Sequence, residues 1–203
     1  MKKVWKPGNM LYPVPAVMVT VGEQKSGVER DNIITVAWAG TVNSDPPMVS
    51  ISVRKSRYSH ELLAASGEFA INLVTEGLCR AMDYCGVKSG RDTDKFEACR
   101  LTRGKAETIG VPLIEESPVN IECRVKQVVE LGSHDMFIAE VTAVQVDEAF
   151  IDEKGLLDMS RMKLIAYNHG EYNALGAKIG SFGYSVRKKK NNHKSGQGKK
   201  RKK

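Results

Sequence analysis

The feature that most constrains the fold is an alternation of apolar and charged residues over positions 120–131. Side chains of a β-strand point alternately to its two faces, so this alternation predicts a strand with one buried and one solvated face. Turn-forming residues follow at 132–135, and 136–146 is a second β-rich run. The two runs predict an antiparallel hairpin. The apolar side of the first strand consists of Ile121, Cys123, Val125, Val129 and Leu131.

Helical patterns are few and short compared with the β signals. One helix is predicted over 59–65, with Ser59 as its N-cap and Gly67 as its stop signal, and a second over 76–84. The segment 86–112 is polar and rich in Gly, Lys and Arg, which indicates a long loop of the kind that carries function. The sequence therefore predicts a mainly β fold, a β-barrel with short α insertions. Further strands are predicted at 13–21, 32–42, 48–53, 68–74 and 163–167.

Positive charge is concentrated at the C-terminal end of the chain. The formal net charge is +7, from 31 Lys and Arg against 24 Asp and Glu, but ten of the basic residues and none of the acidic ones lie in 187–203. Residues 1–186 therefore contain 21 basic and 24 acidic residues, a formal charge of −3. We predict one globular domain over 1–186 and a disordered basic tail over 187–203. Binding of nucleic acid is expected only through this tail.

Neither the cysteines nor the apolar segments indicate a metal site or a membrane segment. The cysteines at positions 79, 85, 99 and 123 lack the spacing of roughly two to four residues that zinc and iron–sulfur motifs require, so no metal is predicted. No uncharged apolar stretch reaches the about 20 residues that span a bilayer. Prolines interrupt the N-terminal segment where a signal peptide would need an apolar core. We therefore expect reduced cysteines, no membrane partner and a cytoplasmic location.

Two cationic clusters have the composition of anion sites, although the common nucleotide-binding signatures are missing. In 50–59 a predicted strand ends in Arg54, Lys55 and Arg57 and runs into a helix start, where backbone N–H groups favour anions. Arg54 and Lys55 are adjacent on an extended chain, so at most one is expected to reach a given ligand. In 86–96, glycines allow close approach of the backbone to a ligand. From spacing alone, an ordinary solvated surface is the favoured interpretation of each cluster.

A series of segments along the chain forms a recognisable set of motifs. They are 32–40 (NIITVAWAG), 46–52 (PPMVSIS), 54–59 (RKSRYS), 68–73 (EFAINL), 89–96 (SGRDTDKF), 132–141 (GSHDMFIAEV) and the ending Tyr167, Tyr172, Leu175 and Gly176. Taken in this order, the motifs resemble those of the flavin reductase-like family of FMN-binding split barrels. The resemblance covers about residues 10–180, and flavoredoxin-type proteins of anaerobic bacteria and archaea are the members that the chain resembles most. The tail from 187 onward has no counterpart in the family pattern.

The resemblance implies a homodimer that binds FMN non-covalently at its interface. Hydroxyls and cations would hold the phosphate, while backbone groups and apolar side chains would hold the ring. The residues at the matching positions, and therefore the predicted cofactor-binding residues, are Asn32, Thr35, Trp38, Ala39, Ser52, Val53, Arg54, Ser56, Ser59, Lys88 and Ser89.

The same resemblance implies a role for each part of this set. Trp38 and Ala39 would line the isoalloxazine ring with Thr35 beside them, and residues 52–54 would follow the ribityl chain. The residues expected at the phosphate are Ser56, Ser59, Lys88 and Ser89.

The function implied is that of an FMN-dependent oxidoreductase. It would pass a hydride or electrons from NAD(P)H, through the bound FMN, to an acceptor such as flavin or ferric iron. The alternative is a non-enzymatic FMN electron carrier between redox proteins. Hydride transfer to a flavin requires no protein acid or base, so no catalytic side chain is predicted. His134, in the expected hairpin turn, and His169 are therefore assigned no role.

Overall fold

The computed structural model describes residues 1–25 and 28–187, and most of their regular structure is antiparallel β-sheet. This confirms the mainly β prediction. Numbered along the chain, the strands are β1 (Val14–Pro15), β2 (Val17–Lys25), β3 (Val28–Val36), β4 (Ala39–Ser44), β5 (Pro47–Val53), β6 (Glu68–Leu73), β7 (Arg103–Gly104), β8 (Leu113–Ile114), β9 (Val119–Glu130), β10 (Asp135–Val146), β11 (Ile165–Asn168) and β12 (Glu171–Ala174).

The main sheet has seven strands in the order β3-β2-β6-β9-β10-β5-β4, all paired antiparallel. Strands β1, β11 and β12 form a small second sheet, and β7 pairs with β8. The predicted hairpin is confirmed as β9 and β10, with Gly132 at φ +81° in the turn. The helices are α1 (Tyr58–Ser66), α2 (Cys79–Val87) and α3 (Lys95–Cys99), with 3₁₀ turns at Glu76–Leu78, Glu148–Phe150, Met159–Met162 and Tyr184–Val186.

The prediction of one strand over 32–42 is wrong, because the chain bends at Ala37 and Trp38. Strand β3 ends at Val36 on one edge of the main sheet, and β4 begins at Ala39 on the opposite edge. The backbone N–H of Ser52, in β5, donates to the Trp38 carbonyl at 2.9 Å. The bend therefore joins the two edges of the sheet and curls it into a split barrel. The periodicity of the sequence could not show this break, because residues typical of β-strands lie both before and after it.

Both faces of the central strands are buried. One face packs around α1, where Leu62 lies in a cluster with Phe137 and alternate residues of β2. The other face is covered by α2 and α3, whose Met82 and Phe96 pack against Met18. Because β2 is buried on both sides, its residues 17–21 are all inaccessible and nearly all apolar.

The predicted cap of the first helix is wrong, whereas its stop signal is confirmed. Arg57 is the N-cap of α1, and Ser59 lies inside the first turn, where it is buried. The Ser59 hydroxyl forms a hydrogen bond with Asn32 of β3 and therefore does not cap the helix. Gly67 ends the helix at φ +68°, a left-handed conformation that favours glycine.

Most of the predicted basic tail, from 188 to 203, lies outside the described residues. None of the helices within 1–25 and 28–187 combines the length and apolar character needed to cross a membrane.

Candidate functional site

A cavity rich in positive charge lies where the start of α1, the end of α2 and the loop into α3 meet β3. Its volume is about 190 Å³. Four of the described side chains that line it are cations, namely Arg57, Lys88, Arg91 and Lys95, and none is a carboxylate. We call it the cation cavity. Its lining also contains the polar residues Asn32, Ser56, Tyr58, Ser59 and Ser89.

Helix α1 points its N-terminus at this cavity. The cap residue Arg57 has an extended backbone and supplies no side-chain acceptor for the first N–H groups of the helix. Tyr58 and Ser59, the first two helical residues, line the cavity. Unpaired N–H groups and the helix dipole make such an end favourable for an anion. Backbone and side chains therefore place positive potential in the same volume.

A buried hydrogen bond fixes the wall of the cavity between β3 and α1. Asn32 Nδ2 donates to Ser59 Oγ at 2.7 Å, and both side chains are almost inaccessible. Gly90 packs against the same amide: a Cβ added there would overlap the Asn32 carboxamide and lie 2.9 Å from Nδ2. The loop can approach Asn32 this closely only because position 90 is glycine.

Lys95 forms the buried base of the cavity. Asp94 caps α3 by accepting from the N–H groups of Phe96 and Glu97, which places Lys95 at the first helical position. The Lys95 side chain points inward, with 4% of the residue exposed. Burial is the main cause that lowers its pKa from the ordinary lysine value, and the positive charge of Arg57 lowers it further.

The other cations differ in how they are held. Arg91 lies over the Tyr58 ring, with its guanidinium carbon 5.0 Å from the ring centroid, and contacts Glu61 at 3.4 Å. The backbone N–H of Lys88 donates to the Tyr84 carbonyl at the end of α2, which fixes the point where the lysine side chain leaves the helix. These contacts place Arg91 and Lys88 at the opening of the cation cavity rather than at its base.

A longer groove of about 360 Å³ adjoins the cation cavity. The two share Ile34 and Arg57 in their linings. A volume of this size lies in the range of roughly 300–1,000 Å³ that is typical of small-molecule sites. We call it the adjoining groove. Of the predicted residues it is lined by Thr35, Trp38, Ser52, Val53 and Arg54.

Aromatic rings cover one end of the adjoining groove. Trp38, Tyr167 and Tyr12 pack in pairs with centroids 5.7–6.5 Å apart. Tyr172 packs on Tyr167 at 5.9 Å and donates its hydroxyl proton to Asp83 at 2.8 Å. Burial and this hydrogen bond raise the pKa of Tyr172 to about 12, so its hydroxyl stays protonated at physiological pH. This end of the groove therefore suits a planar, largely uncharged group.

His134 also lines the adjoining groove, although it lies in the β9–β10 turn as predicted. Burial, followed by the positive charge of Arg54, lowers its pKa from the ordinary histidine value. The imidazole is therefore neutral at physiological pH. Its Nδ1 lies 2.9 Å from the Ser133 hydroxyl.

The structure brings ten of the eleven predicted residues to these two spaces. Asn32, Ser56, Ser59, Lys88 and Ser89, four of which were expected at the phosphate, line the cation cavity. Those expected along the ring and ribityl chain line the adjoining groove, with the exception of Ala39, which lines a second groove that shares Trp38 and Ser52 with the adjoining groove.

The structure adds two details about the predicted set. The Thr35 hydroxyl donates to the Met82 carbonyl, so its proton is already committed within the fold. Arg54 lines the groove, whereas Lys55 points away to Glu130 at 2.6 Å. The two adjacent cations thus lie on different sides of the chain, as their spacing indicates.

Sequence reasoning did not select three of the four cations of the cation cavity, Arg57, Arg91 and Lys95. All three lie within the clusters 50–59 and 86–96 that were noted as cationic. The sequence did contain a signal for Lys95 that was overlooked. Asp94 is an N-cap residue and marks the start of α3 at Lys95, and the position of α3 turns the Lys95 side chain toward β3.

The chain matches the model of the flavin reductase like domain over residues 9–176. It belongs to the flavin reductase-like family. The match spans both the cation cavity and the adjoining groove, and it confirms the resemblance found in the sequence. The chain is thus a member of a flavoprotein family with a split-barrel fold.

Solved structures and a curated relative agree with this assignment. The flavoredoxin of Desulfovibrio vulgaris (Miyazaki F) is 31% identical, with a TM-score of 0.83 over 92% of this chain and 100% of that one. An FMN-binding protein from Thermus thermophilus, solved with bound 1-cyclohex-2-enone, is 26% identical, with a TM-score of 0.74 over 89% and 99% of the two chains. The FMN reductase (NADH) RutF of Variovorax paradoxus is 27% identical over 57% of this chain and 62% of its own length.

Proposed function

We propose that the protein is an FMN-binding oxidoreductase that takes a hydride or electrons from NAD(P)H and delivers them to an acceptor such as flavin or ferric iron. The observation that carries this proposal is the cation cavity, where four cations and a helix N-terminus surround a space without a carboxylate among its described lining residues. A phosphate monoester close to a dianion is the chemical group that this arrangement fits.

Different residues of the chain would then hold different parts of the cofactor. The hydroxyls of Ser56, Ser59 and Ser89 would donate to the phosphate, and the N–H groups at the start of α1 would do the same. Arg57, which lines both spaces, would lie where phosphate and ribityl chain meet. The aromatic end of the adjoining groove would shield one side of the ring from water. When bound, FMN supplies the hydride and electron chemistry, and the protein supplies position and electrostatics.

The alternative is an FMN electron carrier that exchanges electrons with protein partners and has no NAD(P)H reductase activity. The similarity to a flavoredoxin over the whole length of that chain favours keeping this possibility beside the first. Both proposals use the same cofactor site and differ only in the electron donor.

A stopped-flow experiment separates the two. The FMN-loaded protein is mixed anaerobically with excess NADH or NADPH, and the flavin absorbance is followed. The proposed reductase is expected to lose its oxidised flavin band within the first turnover. Bleaching by a reduced ferredoxin, with none by either nicotinamide, would establish the carrier instead. A protein that retains no flavin after reconstitution would contradict both.

Replacing Arg54 or Lys88 with Ala is expected to weaken FMN retention while the fold stays intact. Each substitution removes one charge-assisted contact, of about 1.5–3 kcal/mol, so the Kd for FMN is expected to rise about 10-fold or more. Both side chains are largely solvated, so the free energy of unfolding without FMN is expected to change by less than about 0.5 kcal/mol. Fluorescence titration measures the affinities, and urea unfolding measures the stability.

The matched control for these substitutions is Lys126→Ala, whose ammonium pairs with Glu140 at 2.7 Å on the β9–β10 surface, away from both spaces. It is expected to leave FMN affinity unchanged. Undiminished retention in both Arg54→Ala and Lys88→Ala would remove these two residues from the cofactor site.

We also propose a homodimer, with the cytoplasm as its expected location. Large apolar side chains are exposed on edge strand β4 and on the C-terminal segment after β12, including Val42, Leu175 and Phe182. Such surface is unusual on a monomer, and a second copy would cover it. Sedimentation velocity that gives the mass of a single chain at micromolar concentration would contradict this proposal.

A further inference from the structure

Two of the four free cysteines, Cys85 and Cys99, lie together where α2 packs on α3. The Cys99 Sγ lies 3.9 Å from the carbonyl oxygen of Ala81 in α2. Ala81 and Cys85 are four residues apart on this helix and therefore share one of its faces. The thiols of Cys85 and Cys99 are close enough to form a hydrogen bond and to change each other's pKa. We call these two side chains the thiol pair.

The backbone around the thiol pair is held in place by α3. Lys95, one helical turn before Cys99, donates from Nζ to the Cys85 carbonyl at 2.8 Å and to the Ile33 carbonyl at 2.6 Å. Phe96 of the same helix packs in the apolar cluster that contains Cys85. A disulfide forms only between cysteines whose backbones are already close. The contacts of α3 keep Cys85 and Cys99 in such an arrangement.

The two remaining cysteines have different surroundings. Cys79 is the first residue of α2, and Cys123 lies inside β9. Burial raises the pKa of both thiols, and a nearby carboxylate raises it further, that of Asp83 for Cys79 and that of Glu122 for Cys123. Because the thiolate is the reactive form of cysteine, these carboxylates disfavour reaction at both positions.

The two members of the thiol pair differ in reactivity. Cys85 is 1% exposed, and burial raises its pKa to about 12. Cys99 is only partly buried. Burial raises its pKa as well, but the hydrogen bond with Cys85 and the positive charge of Lys95 act in the opposite direction. Cys99 is therefore the member that reacts first with an oxidant from solution, and Cys85 is placed to react second.

We propose that Cys85 and Cys99 form an oxidisable dithiol, which hydrogen peroxide converts to a disulfide between α2 and α3. The Cys99 thiolate attacks one peroxide oxygen, the O–O bond breaks, and the departing hydroxide takes up the thiol proton as water, which leaves a sulfenic acid on Cys99. The Cys85 sulfur then attacks the Cys99 sulfur, the S–O bond breaks, and the hydroxyl departs with the Cys85 proton as a second water. The two thiols lose two electrons and two protons, and peroxide is reduced to two waters.

The disulfide would close a loop around segment 86–98. This segment carries Lys88, Ser89 and Gly90, which form part of the wall of the cation cavity. A cross-link restricts the unfolded chain and therefore stabilises the folded one. In a reducing compartment the pair would be reduced at rest and would close only while peroxide is present. This inference goes beyond the proposed function, and it requires no flavin.

Peptide mapping of the full-length protein tests the proposal. The reduced protein is exposed to a small excess of hydrogen peroxide, its remaining thiols are alkylated, and it is digested with trypsin without reductant. The four cysteines fall in four different tryptic peptides, and those of the thiol pair are 81–88 and 96–100. These two peptides are expected to appear joined, lighter by two hydrogen atoms than their sum, and to separate on addition of dithiothreitol.

Three variants assign the steps. Cys85→Ser is expected to stop at the sulfenic acid of Cys99, which dimedone traps. Cys99→Ser is expected to leave Cys85 as a free thiol under the same conditions. Cys79→Ser is the matched control and is expected to form the bridge as the wild type does. Oxidised wild type is expected to unfold about 5 °C or more above the reduced protein, with no such shift in Cys99→Ser.

Several outcomes would overturn the proposal. Oxidation of Cys99 to a sulfinic acid in the wild type without joined peptides would show that Cys85 does not reach it. A disulfide that contains Cys79 or Cys123, or four thiols left unchanged by peroxide, would also contradict the assignment. A bridged protein with an unchanged unfolding midpoint would overturn the stabilisation of segment 86–98. Because no step of this experiment uses flavin, failure of the proposed function would leave its result unaffected.

Discussion

Replacing Gly90 with Ala is expected to cost the protein most of its flavin affinity. The added methyl group would overlap the Asn32 carboxamide, which is held by its bond to Ser59 at 2.7 Å. Either the amide moves and the bond breaks, or the loop that carries Ser89 moves away from the cation cavity. Crowding of this kind costs about 1–3 kcal/mol. The Kd for FMN is expected to rise about 10-fold or more, with a comparable loss of folding stability.

Fluorescence titration and urea unfolding check this expectation. Gly176→Ala is the matched control, because a Cβ at that position meets no atom within 4 Å and the backbone is not left-handed there. If Gly90→Ala bound FMN as the wild type does, the close approach of the loop to Asn32 would be irrelevant to the site.

Replacing Glu122 with Leu is expected to be the most destabilising change, by about 3–5 kcal/mol. The carboxylate is fully buried in β9 and accepts from the N–H of Glu107 at 3.0 Å, from the N–H and hydroxyl of Thr108 at 2.7 Å each, and from Gln145 Nε2 at 2.9 Å. Leucine fills the space but leaves these donors without an acceptor. Glu122 holds the loop between β7 and β8 and lies apart from the cation cavity and the adjoining groove. The FMN affinity of the folded fraction is therefore expected to stay unchanged.

The same carboxylate makes stability depend on pH. Burial alone would raise the pKa of Glu122, but the hydrogen bonds from Glu107, Thr108 and Gln145 outweigh it and hold the pKa below its ordinary value. A folded-state pKa below the unfolded one gives stability that is fully present above the unfolded value, about 4.3. That stability is lost as the pH falls through the folded-state pKa. The stability gap between wild type and Glu122→Gln is therefore expected to narrow below about pH 4.

Urea midpoints at pH 7 and at pH 3 to 4 measure this gap. Glu153→Gln, in an exposed loop, is the control and is expected to match the wild type at every pH. A gap that stays constant, or widens in acid, would show that the charge of Glu122 is not what these donors recognise.

Much of the fold could be predicted because its strands have strong local signals. The β9–β10 hairpin follows from alternation and turn residues alone, and Gly67 marks the end of α1. The break at Trp38 could not be predicted in this way. It depends on the pairing of β2 with β6 and of β5 with β10, which places the β2–β3 and β4–β5 hairpins at opposite ends of the sheet. These contacts are remote in sequence and leave no mark in the local pattern.

The residues of the candidate site divide in the same way, into those with a local sequence signal and those without one. Ser56, Ser59, Lys88 and Ser89 were selected because they lie in recognisable motifs, and all four line the cation cavity. Lys95 was not selected, because a lysine in a polar loop is normally solvated. Its burial results from the way α3 packs on β3, which only the assembled fold determines.

The bend at Trp38 has a mechanical consequence. It joins the two edge strands of the main sheet, β3 and β4. The adjoining groove lies across that junction, with Ile34 and Thr35 from β3 and Ser52 and Val53 from β5, the neighbour of β4. A ligand in the groove would therefore contact both sides of the junction at once. Because binding and stability are linked, a ligand that binds only this closed arrangement would add to the stability of the barrel. Removing that ligand would take this contribution away from the junction.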